Sequence, residues 1–123
     1  MTPQQYLKPV LDWLEAGAPH TKHKLTFDME HFAHLQGDCG TACCIAGATA
    51  QFNGLKTESE DAVDQCFEIG QKIGLTREQS NELFFPGGED CGYYLSDIPA
   101  EVAAETLRNF MKTGEIVWPE ELP

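Results

Sequence analysis

Positive charge is what this chain has least of: eight Lys and Arg stand against 20 Asp and Glu, for a net charge of −12 over 123 residues. A field of that sign repels nucleic-acid backbones and anionic membrane surfaces and attracts basic partners. Long apolar runs are missing as well. No stretch reaches the roughly eighteen residues that a membrane-spanning helix needs. The opening MTPQQYLKPV has no charged segment followed by an apolar run, which argues against a secretory signal and for the cytoplasm. The cysteine count is five, so the thiols cannot all pair, and in a cytoplasmic chain they are expected to be reduced. No internal repeat, low-complexity tract or linker divides the sequence, so residues 1–123 are read as a single domain. At 41% apolar it is long enough to bury a core without disulfide staples.

The charge is unevenly placed. Residues 1–56 hold five acids and four lysines, for −1, whereas residues 57–123 hold fifteen acids and four bases, for −11.

The chain is organised around residues 38–54, DCGTACCIAGATAQFNG. Between Gly40 and Phe52 only Thr41, Thr49 and Gln51 are polar, and a helix that is small or apolar all round is buried all round. A helix over 41–52 would be roughly 18 Å long, about the width of a small core. Asp38 stands where an N-cap belongs and Gly54 where the helix stops. Gly47 in mid-helix costs about 1 kcal/mol against Ala, a cost that makes sense where a large neighbour packs over it.

Four further helices follow from spacing and capping signals. Over 3–16, Thr2 and Gln5 form a capping box, Pro3 suits the first position, and Tyr6, Leu7, Val10, Leu11 and Leu14 recur on one face. Over 58–73, Ala62, Val63, Cys66, Phe67, Gly70 and Ile73 make an inner face, and Asp61, Asp64 and Glu68 an outer one. Thr76 and Gln79 open a short helix carrying Leu83 and Phe84, which halts before Pro86. The last runs over 99–112, with Val102, Ala103, Leu107, Phe110 and Met111 inward and Glu101, Glu105 and Arg108 outward. Residues 24–29 alternate as a short strand, and 115–118 could pair with it. The expected fold is therefore mainly α: one compact domain of about five helices around a buried central helix over about 40–53, with a minor two-stranded β element.

Three kinds of site are open. The first is thiol chemistry at Cys39, since a cysteine at a helix entrance has a lowered pKa. Asp38-Cys39-Gly40 before a small-residue helix resembles the nucleophile segment of papain-like peptidases, including the bacteriocin-processing type. Those enzymes place their histidine downstream, whereas His20, His23, His31 and His34 all lie upstream here, leaving His31 or His34 as the base. The second is zinc, with His31, His34, Cys39 and Cys43 as four N/S ligands within thirteen residues and His20 and His23 as a further pair. Cys44 is read as turned away from that set and packed. The third is the acids: Asp61, Asp64, Glu68, Glu89, Asp90, Glu101 and Glu105 form a candidate face for a protein with a basic surface. Carboxylates in such a row imitate the charge of a nucleic-acid backbone. The glycines of 86–94 match no phosphate-binding or calcium-binding spacing, and no cofactor is expected. Tyr93 and Tyr94 end that loop as candidate contact residues.

Phe27-Asp28-Met29 followed by Cys39-Gly40-Thr41-x-x-Cys44-x-Ala46-Gly47 resembles a core shared by small proteins of phages, prophages and plasmids. Ile73-Gly74-Leu75-Thr76, Leu83-Phe84-Phe85-Pro86, Ala103-Ala104 with Leu107, and Thr113-Gly114 with Trp118 extend the likeness to most of 27–118. Where such proteins carry a Trp after the Ala-Gly pair, this chain has Ala48. The resemblance implies an accessory protein of a mobile element in a bacterial cytoplasm, and carries over no catalytic residue. The expected function is binding of another protein, with inhibition of a host defence or nucleic-acid-binding factor as its concrete form.

Overall fold

The structure, a computed structural model, describes residues 2–18, 25–27, 34–35, 41–85, 98–120 and 122. Five helices lie among them: α1 (Pro3–Glu15), α2 (Ile45–Asn53), α3 (Ala62–Ile73), α4 (Arg77–Phe84) and α5 (Ala100–Thr113). Three short strands, β1 (Leu25–Phe27), β2 (His34–Leu35) and β3 (Thr41–Cys43), form a small sheet in the order β1-β3-β2. The mainly helical reading holds.

The helix ends are where local chemistry puts them. Thr2 and Gln5 exchange both bonds of the capping box, and Thr76 and Gln79 do the same at α4. Gly54, Gly74 and Gly114 close α2, α3 and α5 with φ of +65°, +92° and +81°, a left-handed region that costs Gly little.

α2 is the centre. Ile45, Ala46, Gly47, Ala48, Thr49 and Ala50 are buried in succession, so no face of its first two turns meets water. α1 and α3 pack against it, β1 and β3 sit at its start, α5 lies on α1, and α4 lies on α3. One apolar cluster draws on all five helices, including Leu7 and Leu14 of α1, Ile45 and Ala48 of α2, Cys66 and Ile73 of α3, Leu83 and Phe84 of α4, and Leu107 and Phe110 of α5. The buried polar groups of α2 are satisfied. Thr49 Oγ1 donates to Ile45 O at 2.7 Å, and Asn53 Nδ2 donates to Thr49 O at 2.8 Å and across to Tyr6 O of α1 at 3.0 Å.

Four expectations are corrected. The central helix begins at Ile45 rather than near residue 40, and its N-cap is Cys44, not Asp38. The cause is non-local: 41–43 give their backbone groups to two neighbouring strands, so the chain reaches Cys44 still extended, at φ −82° and ψ −174°. Gly47 thereby falls in the first turn, where its N–H donates to Cys44 Sγ at 3.5 Å. Second, the partner of β1 is β3, in parallel register Leu25↔Thr41 to Phe27↔Cys43, with β2 antiparallel on the other side. Residues 115–118 form no strand. They lie over α4 and α5 instead, with Thr106 Oγ1 donating to Val117 O at 3.5 Å and Trp118 Nε1 to Glu82 O at 2.9 Å. Third, α3 starts at Ala62 instead of 58, because the Asp61 carboxylate accepts the Val63 N–H and sets the first turn. Fourth, Val63 belongs to no inner face and is 47% exposed.

α3 and α4 are tightly packed at Gly70. A Cβ there would stand 1.9 Å from Ser80 Oγ and 2.9 Å from Ser80 Cβ. Ser80 is itself held, its Oγ donating to Thr76 O. Gly70→Ala is therefore expected to force the two helices apart and to destabilise the protein by about 1–3 kcal/mol in urea unfolding, even though Ala is the better helix former.

Candidate functional site

The acids expected to face a partner divide into groups with different duties. Asp61 is spent on the backbone as the N-cap of α3, its Oδ1 accepting from Val63 N at 3.0 Å. Glu68 is half-buried, and its two carboxylate oxygens accept the N–H groups of Glu58 and Ser59, both at 3.2 Å. It ties the 58–59 turn down onto α3. Glu58, Glu60 and Asp64 are exposed, and no ion pair among the described residues involves any acid from 58 to 68. The row that faces outward is thus Glu58, Glu60 and Asp64, with Asp61 beside them.

Glu101 and Glu105 are exposed on α5, which packs on α1, whereas α3 packs on α2 and α4. Beside them Arg108 donates through Nε to Glu15 Oε1 of α1 at 3.3 Å, so this second acidic patch is partly neutralised. The two patches sit on helices that α1 and α2 separate in the packing order. Glu89 and Asp90 lie outside the described residues, as do Tyr93 and Tyr94.

Between α3 and α4 runs an open groove of about 480 Å³, lined by Asp64, Phe67, Glu68, Gln71, Leu75, Arg77 and Ser80. The Arg77 guanidinium lies 4.1 Å from the centre of the Phe67 ring, and Phe85 packs on the same ring at 5.6 Å between centroids. Arg77 is held there by an aromatic face and forms no salt bridge with Asp64 or Glu68.

Of the thiol and zinc candidates, His31 and Cys39 lie outside the described residues. His34 and Cys43 are placed by their backbone on neighbouring strands, with His34 in register with Ala42 and Cys43 with Phe27. Among the described residues no three His, Cys, Asp or Glu side chains converge as metal ligands. The helix-entrance argument made for Cys39 belongs to another residue, because the helix begins at Ile45 and the sulfur at its entrance is that of Cys44.

Cys44 has a partner that the spacing did not reveal. Cys66 of α3 is, like Cys44, a buried free thiol, and each of the two shifts the titration of the other. The influence of Cys66, with further help from backbone N–H groups including that of Gly47, holds the Cys44 thiol below the ordinary thiol range against the opposing effect of burial. The same interaction with Cys44, together with burial, pushes the Cys66 thiol up. One clue was present in the sequence. Cys66 lies on the inner stripe of a helix, and Cys44 immediately precedes the run IAGATA that has no polar face.

Comparison of the chain with protein-family models, with curated proteins and with solved structures finds no match. Among the described residues no helix is long and apolar enough to cross a membrane.

The division of duties among the α3 acids is measurable. Asp61→Ala is expected to cost about 1 kcal/mol through loss of the cap, while Asp64→Ala changes stability by less than about 0.5 kcal/mol. Equal effects of the two in urea unfolding would contradict the assignment.

Proposed function

We propose that the protein is an acidic accessory protein of a phage or other mobile element, acting by binding a host protein through the outward carboxylates at the start of α3. The observation that carries the reading is the exposed run Glu58, Glu60, Asp61 and Asp64, which no cation among the described residues neutralises, in a half of the chain whose net charge is −11. Carboxylates on a folded turn and the first turn of a helix present closely spaced negative charge at small entropic cost, since the Glu68 and Asp61 bonds fix the backbone beneath them. The partner this suits has a basic surface of the kind that meets nucleic acid, and the protein takes the place of the nucleic acid by occupying that surface. The α5 patch with Glu101 and Glu105 is secondary, because Arg108 stands within it.

The test is immobilised protein exposed to bacterial lysate at low salt, with bound proteins released in a salt gradient and identified by mass spectrometry. A basic protein retained by the wild type is expected to elute well below 0.5 M salt, where charges more than roughly 4 Å apart are screened. The double variant Glu60→Lys, Asp64→Lys is expected to lower its retention at least tenfold. Cys39→Ala leaves it unchanged, which separates this reading from thiol chemistry. Retention that ignores both salt and charge reversal would refute it.

A further inference from the structure

We propose that the groove between α3 and α4 is an arginine-binding site, in which a guanidinium of the partner replaces Arg77 on the Phe67 ring; this rests on the partner's surface being basic. The groove is open to solvent, and its volume of about 480 Å³ admits a long side chain. It already holds the chemistry of its occupant. The Arg77 guanidinium lies 4.1 Å from the centre of the Phe67 ring, and Phe85 packs on the same ring at 5.6 Å between centroids. Phe67 is thus fixed in a position that takes a planar cation on its face. Arg77 itself is lightly held. It is exposed at the first position of α4, and among the described residues no salt bridge or side-chain hydrogen bond ties it down.

The carboxylates of the groove are what an incoming arginine gains. Asp64 and Glu68 stand one turn apart on α3, and both line the groove with Phe67. Asp64 is exposed and forms no ion pair among the described residues. Each Glu68 oxygen accepts one backbone N–H and keeps a second lone pair. At the ring the exchange is even, guanidinium for guanidinium. At the carboxylates it is a gain, because Arg77 pairs with neither, whereas an arginine entering from solvent keeps its N–H donors for them. Lysine fares worse in the same exchange. Its ammonium is compact and strongly hydrated, and it lacks the flat face that stacks on an aromatic ring. The groove therefore distinguishes between two cations of equal charge, which the acidic run alone does not.

The experiment titrates the full-length protein at low salt with hexa-arginine and with hexa-lysine, two peptides of equal charge. The protein is isotopically labelled at arginine, and its only arginines are Arg77 and Arg108, so NMR follows the Cδ protons of two side chains. Hexa-arginine is expected to bind about fivefold more tightly than hexa-lysine, roughly the worth of one ring–guanidinium contact. It is also expected to move the Arg77 protons downfield as they leave the shielding face of Phe67, whereas hexa-lysine leaves them in place. Arg77→Gln, which assigns the signals and empties the ring face, strengthens hexa-arginine binding more than hexa-lysine binding. Phe67→Leu makes the two peptides equal. Glu60→Lys lies outside the groove and weakens both peptides alike, through the field it alters. Equal affinity of the two peptides for the wild type, or Arg77 protons that stay shielded at saturation with hexa-arginine, would overturn the arginine site. The basic-partner reading fails separately, if Glu60→Lys leaves both affinities unchanged.

Discussion

The constraint on which the structure depends is the complete burial of the first two turns of α2. A helix with one apolar stripe is oriented by that stripe, but Ile45 to Ala50 present none, so α2 is positioned by what surrounds it. Its small side chains let α1 and α3 come close on either side. The polar groups it does carry turn back on its own backbone or reach one neighbour, as Thr49 and Asn53 do. Its entrance needs an acceptor that is at home in a dry environment. A carboxylate or amide would carry a desolvation cost there, and the Cys44 thiol meets the Gly47 N–H with less of it.

The same economy governs the acids. A chain with this excess of negative charge repels itself, and part of the excess is put to use inside the fold. Asp61 begins α3 and Glu68 pins the turn before it, so two carboxylates hold in place the segment that displays the others. The proposed partner surface and a helix cap are in this way parts of one short stretch.

Much of the helical framework was legible because its signals are local. Thr2 with Gln5, Thr76 with Gln79, and glycines at 54, 74 and 114 act within a turn of where they stand, and each marks an end that the structure shows. The start of α2 was not legible. Whether 41–43 is helix or strand depends on pairing with 25–27 and 34–35, far away in sequence, and small residues permit either state. A sulfur cap is also outside the set of residues that announce helix starts. The acids were visible as composition, but only the three-dimensional arrangement distinguishes Asp61 and Glu68, which serve the backbone, from Asp64, which faces outward. Cys44 and Cys66 read separately as packing residues, and nothing in their spacing says that each shifts the titration of the other.

Native-state hydrogen exchange tests the central claim most directly. If α2 is the element around which the others fold, the amides of Ala48 to Phe52 exchange only through global unfolding, with an opening free energy equal to that from denaturant titration and a denaturant dependence to match. Exchange of those amides through a smaller local opening, while the amides of α1 and α5 remain protected, would contradict it.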